Sequence, residues 1–359
     1  MLQLTHDSLV FSFPDVHPDA KVRISFMRTL RIPDDGKTYP LPPGLSTFPL
    51  RLVDDFKDRI PLSWKEHGGV MLPMFQSEAM WLNFSSQYIQ RHGAYPFVVK
   101  VATGKRSALT GEAWTSELRA KDYCVVPTQP WLDGYVVEKD TIRQFVAAPL
   151  GMGFTAEEQI TGKAEFGGLQ IEVMPMKREV FDRRFPKQET SMLRGMMSLS
   201  DQLNEQGASY NMMGFAAAAA AAPDMGLAPG GRMKQEVFED PYEFSDWNQG
   251  HHGRCFVHLT NSLAWRAITK HEPPTVPVTA EDYTSHGLPW FEHYADGVRA
   301  LRKSLDGTKL TKDLKSVLEL GFQKGFSILP ENESVAIKSD QVVKLGTPNK
   351  DEVRDGKWA

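Results

Sequence analysis

Gln129-Pro130-Trp131-Leu132-Asp133-Gly134-Tyr135, Ile142-Arg143-Gln144-Phe145-Val146 and Gly167-Gly168-Leu169-Gln170-Ile171-Glu172-Val173-Met174-Pro175 are three runs, within residues 124–175, whose reading decides the fold. In the second run Ile142, Gln144 and Val146 alternate with Arg143, Phe145 and Ala147. A period of two is that of a β-strand, and apolar groups on both faces place this strand centrally in a sheet. In the third run Leu169, Ile171 and Val173 alternate with Gln170, Glu172 and Met174, the pattern of a strand with one wetter face. Pro127 and Pro130 interrupt a strand at 123–126, and Leu132-Asp133-Gly134 predicts a tight turn with Gly134 supplying a positive φ. Gly151-Met152-Gly153 predicts a loop leading into a helical turn capped by Thr155.

Moving toward the N-terminus, residues 95–103 carry the β-branched Val98, Val99 and Val101, with Lys100 on the opposite face from Val99 and Val101. Residues 70–84 lean to strand, and 50–66 have room for a short helix ending near Arg59, before Pro61. Five prolines between 33 and 49 predict an extended surface loop. Residues 22–32 alternate again: Val22, Ile24, Phe26, Leu30 and Ile32 share a face, and Arg28 falls among them. A guanidinium there needs a carboxylate.

Toward the C-terminus the character changes. Residues 177–185 are strongly charged, and 191–207 have the apolar spacing of an amphipathic helix. Residues 211–231, rich in Ala, Gly and Pro, predict a connector. Strands are expected at 233–238 and 254–260, with a short helix from Asn261-Ser262 through Trp265 and Ile268. Further helices are expected at 279–283, 290–303 and 310–320. The tail from residue 330 is polar and is expected to take order only from contact with a neighbour.

The expected fold class is α+β: a mainly antiparallel β sandwich or barrel-like sheet with peripheral helices and long proline-rich loops. The expected divisions are a β-rich domain at 1–180, a helix and flexible connector at 181–232, a mixed α/β part at 233–330 that is open to completing the first sheet, and a polar tail at 331–359.

The chain has 359 residues, 41% of them hydrophobic and 24% charged, a soluble globular balance with a core of useful size. A net charge of −4, with Lys and Arg scattered, argues against nucleic-acid binding. Two cysteines make no disulfide framework, so Cys124 and Cys255 are expected reduced and buried. The first residues lack a basic and then apolar leader, and the run Ala216 to Ala222 covers only about 10 Å as a helix, too short for a membrane span.

Two clusters carry candidate chemistry. His251-His252-Gly253-Arg254-Cys255-Phe256-Val257-His258 offers four metal donors, with His251, His252 and His258 as the expected ligands. In a strand, however, Cys255 faces away from His252 and His258, which then lie about 20 Å apart, so a metal needs a turn near Gly253 and a donor such as Glu292 or His293. Trp131, Asp133, Arg143 and Gln144, joined by Gln170 and Glu172 if the strands pair, would recognise a small polar ligand or a partner's loop. Glu157, Glu158, Glu165 and Glu172 are free candidates for acid–base work. No nucleophile elbow, phosphate loop or His-Glu-x-x-His occurs.

The expected function is therefore a non-catalytic cytoplasmic binding or self-assembling protein acting through loops on a β scaffold. Its partner is expected to be a protein or another copy, without nucleic acid, membrane span or cofactor. The alternative is a metal-dependent enzyme with a His/Cys site at 251–258.

Overall fold

The computed structural model describes residues 1–187, 224–277, 304–324 and 352–358. The helices expected at 191–207, 279–283 and 290–303, the alanine run, Glu292 and His293, and the tail between 330 and 351 lie outside the described residues.

The central-strand expectation holds. Thr141–Pro149 pairs with Met225–Lys234 along one edge, and with Gly134–Glu138 and then Ala79–Ser86 along the other. From Ala79–Ser86 the sheet continues through Lys21–Thr29 to Ser8–Ser12 and Leu2–Thr5. A second set of strands runs Cys124–Val126, Phe97–Thr103, Leu169–Pro175, Gly253–Thr260 and Val70–Pro73, the last of these pairings being parallel. The pairing of Met225 with Leu259 joins the two sets into one mostly antiparallel sheet, of 17 strands among the described residues.

The sheet doubles back so that its two halves enclose one core. Phe26, Leu82 and Phe145 from the first half belong to the same buried cluster as Val101, Ile171 and Val257 from the second. The ring of Phe13 lies 6.0 Å from that of Phe97, and a Cβ on Gly253 would come within 2.7 Å of Phe11. The class is thus α+β with a sandwich-like, mainly antiparallel sheet and a few short helices.

Several local readings are realised. Arg28 donates to Glu78 at 3.0 Å, both side chains buried. Thr155 forms a capping box with Glu158 at the start of Ala156–Thr161. Asn261 caps Ser262–Thr269, and both cysteines are buried thiols.

Others are corrected. Residues 225–232, expected within a connector, belong to the ten-residue strand Met225–Lys234. Their glycines serve close packing: a Cβ on Gly230 would lie 2.5 Å from Val146, and one on Gly231 2.4 Å from the carbonyl of Pro33. Pro229 falls at a register shift, where a missing N–H costs no ladder bond. Gly134 has no positive φ; it is there because a Cβ would stand 1.9 Å from the carbonyl oxygen of Arg143 across the strand pair. In place of a helix ending near Arg59, a 3-10 turn at Val53–Phe56 precedes a helix at Leu62–His67 that starts after Pro61, a position proline tolerates. The helix expected at 310–320 is two, Lys309–Lys312 and Val317–Gln323, each opened by its own cap, Thr308 and Ser316. Among the described residues no helix is long and apolar enough to cross a membrane.

Candidate functional site

The third diagnostic strand, Leu169–Pro175, was expected to have a wetter face; instead Gln170 and Glu172 are fully buried. What covers them defines the site. Register sets Lys100 opposite Glu172 and Glu172 opposite Arg254, with Ala102, Gln170 and Phe256 in the next row. The alternate residues Val99, Val101, Ile171, Val173, Cys255 and Val257 point into the sandwich core. The opposite face of the same three strands therefore carries charge and aromatic rings.

Lys100 is 1% exposed. Its Nζ donates to the carbonyls of Thr115 and Glu117 at 2.5 and 3.1 Å, and lies 3.7 Å from Asp122 and 3.7 Å from Glu172. Above it is the ring of Trp114, at 4.6 Å. His252 Nδ1 stands 3.1 Å from Glu172 Oε1, yet neither carboxylate oxygen receives a well-directed hydrogen bond among the described residues. Burial pushes the Asp122 carboxyl up, against the opposing pull of Ser107 and Lys100.

Further along the face, Phe256 stacks on His67 at 4.1 Å and His258 on Trp64 at 4.4 Å. His258 Nε2 is 3.0 Å from the Gly68 carbonyl, and burial drives its pKa down to about 3. It is a neutral packed imidazole over the ordinary pH range.

Residues 352–358 run as an extended strap over this face. The Val353 N–H donates to Leu2 O at 3.0 Å, the Gly69 N–H to Arg354 O at 3.0 Å, and the Lys357 N–H to Glu66 O at 2.9 Å. Isolated bridges pair Gln3 with Glu352 and Gly68 with Asp355. Side chains alternate into separate places. Val353 is buried, and Arg354 forks onto Asp54 with contacts of 2.8 and 2.9 Å. Asp355 accepts from Arg254 Nε at 3.1 Å. Trp358 lies 4.6 Å from Phe256 and 5.2 Å from Trp114, with the Arg254 guanidinium 4.9 Å from its ring; Lys105 Nζ donates to its carbonyl. Glycine makes the approach possible, because a Cβ on Gly356 would meet the carbonyl oxygen of His67 at 2.0 Å.

The residues singled out from sequence have other partners. Gln235 ties Asp133 down, accepting its N–H at 3.0 Å and donating to its Oδ2 at 3.1 Å, and burial pushes that carboxyl up to about 8. Trp131 sits opposite Asn83 and its carbonyl accepts from Gln129 at 2.8 Å. Arg143 reaches Gly230 O and Glu319, each at 3.3 Å, and Gln144 clasps the backbone of Leu30 and Ile32 at 2.9 and 3.1 Å. Arg143 and Gln144 thus tie the central strand to its neighbours, and Asp133 and Trp131 are engaged by Gln235 and Gln129. The three histidines do not converge: His251 is exposed beside Asn248, His252 faces Glu172, and His258 is packed against Trp64. Among the described residues no three His, Cys, Asp or Glu side chains are grouped to hold a metal ion.

Sequence reading gave Lys100 its face and named Glu172, but missed Asp122, Trp114 and the strap. The available signal was Val353 and Trp358, the two apolar residues in the otherwise polar run 349–358.

No protein-family model matches the chain, and neither a curated protein nor a solved structure matches it significantly.

Proposed function

We propose that this is a non-catalytic binding protein whose groove, on the outer face of the strands Phe97–Thr103, Leu169–Pro175 and Gly253–Thr260, holds an extended peptide. The resident ligand is its own segment 352–358 or the same segment of a second copy. The observation that carries this reading is the strap itself: three main-chain hydrogen bonds, a forked Arg354–Asp54 pair and an aromatic seat for Trp358. Main-chain pairing with alternate side chains in separate seats is how extended peptides are recognised. Exchange of the segment between copies makes the protein self-assembling.

The net charge of −4 supports a protein partner over nucleic acid. Two buried, unpaired thiols support a reducing compartment, the cytoplasm. The metal-enzyme alternative rests on three imidazoles that face three different partners.

The test is a fluorescein-labelled peptide with the sequence of residues 350–359, titrated into full-length wild type and into full-length Trp358→Ala. The wild-type groove is filled in cis at an effective concentration of order millimolar, so the variant should bind the peptide about tenfold more tightly. Arg354→Ala should behave likewise. Binding to neither protein, or equal binding to all three, rejects the groove.

A further inference from the structure

We infer that the groove continues past Trp358 into a subsite for a carboxylate, so that the preferred peptide carries a carboxylate next to its tryptophan. This rests on the peptide-groove reading and specifies its ligand.

Beside Trp358 is a cavity of about 160 Å³ lined by Lys105, Arg106, Trp114, Phe166, Glu157 and Glu165. It shares two residues with the seat already described, since Trp114 packs on Trp358 and Lys105 holds the Trp358 carbonyl. Its lining carries two cations and two carboxylates, and both carboxylates are engaged elsewhere. Glu157 is turned into the wall, where its carboxylate accepts the N–H groups of Glu165, Phe166 and Gly167, each at 2.9 Å. Glu165 pairs outward with Lys163 at 3.4 Å. Lys105 and Arg106 have no ion-pair partner among the described residues.

Burial alone pushes the Lys105 amine down, and its Nζ lies 4.2 Å over the Phe166 ring. A partly buried cation on an aromatic wall, next to a second cation and with no ion-pair partner among the described residues, is a seat for an anion.

The experiment titrates full-length Trp358→Ala with three labelled peptides of the 350–359 sequence: the free acid, the C-terminal amide, and the free acid with its own tryptophan replaced by alanine. The acid should bind about tenfold more tightly than the amide, one charge-assisted contact being worth about that. The third peptide should bind weakly. Adding Arg106→Gln to the protein should shrink the acid-to-amide ratio toward one while the amide's affinity stays unchanged; Lys105→Met should shrink the ratio too but weaken both peptides, since it also removes the donor to the tryptophan carbonyl. Equal binding of acid and amide overturns the carboxylate subsite and leaves the groove standing. Displacement of the acid by acetate or inorganic phosphate at matched concentration also overturns it, making the cavity a general anion site. Failure of all three peptides removes the groove itself.

Discussion

Lys100→Met is expected to destabilise the fold by about 3–5 kcal/mol, seen as a lower urea midpoint with an unchanged slope. Lys100 is the cation within 3.7 Å of two buried carboxylates, Asp122 and Glu172, and methionine keeps its length without its charge. Glu172 is fully buried and receives no well-directed hydrogen bond among the described residues, so water cannot take over the role of Lys100. The double variant Lys100→Met/Glu172→Gln should recover a substantial part of the loss, because it removes the stranded charge along with its partner. A loss below about 1 kcal/mol would mean that the cluster is solvated and the face more open than described. The same change should loosen the groove, since Trp114 lies between Lys100 and Trp358.

Asp133→Asn is expected to stabilise the protein above neutral pH and to do little near pH 4. Burial raises the Asp133 carboxyl from the ordinary 3.8 to about 8 in the fold. Between those two values the folded state holds a proton that the unfolded chain releases, so wild-type stability is intact below 3.8 and falls as pH rises toward 8. The variant lacks this slope, and its advantage at pH 7 is on the order of 4 kcal/mol at most. Glu78, pushed up to about 7, has the same sign and leaves a residual slope. His258 acts oppositely: with its pKa lowered to about 3, it lends stability that is lost as pH falls below 6.5. Denaturant midpoints of both proteins from pH 4 to 9 test this. Parallel curves would show that Asp133 is hydrated and ionised.

The sheet was legible wherever a period of two was unbroken. Residues 142–147 and 254–260 read as strands because the signal is local and needs no knowledge of neighbours, and they fall within Thr141–Pro149 and Gly253–Thr260. The cap at Thr155 and the helix start at Asn261-Ser262 were legible for the same reason, as such signals depend on a few adjacent residues. Residues 225–232 were not, because glycine and proline signal freedom in isolation and close packing only once Val146 and Pro33 are in place. The wet face of Leu169–Pro175 misled in the same manner: alternation correctly sorted Glu172 from Val173, but Glu172 is met by Lys100, itself held by Asp122 and Trp114, and by His252, groups far apart in sequence. Trp131, Asp133, Arg143 and Gln144 drew attention by chemical type, and the fold gives each a neighbour to hold.

The central claim is that residues 352–358 occupy a groove built for an extended peptide, and backbone hydrogen exchange of the full-length protein tests it most directly. The amides of Val353, Lys357 and Gly69 donate to Leu2, Glu66 and Arg354. All three should be protected in the wild type. In Gly356→Ala, where the new Cβ meets the His67 carbonyl at 2.0 Å, they should lose protection together by about tenfold or more while the central strands stay protected. Exchange of Val353 and Lys357 at the rate of an unstructured peptide in the wild type would contradict the account.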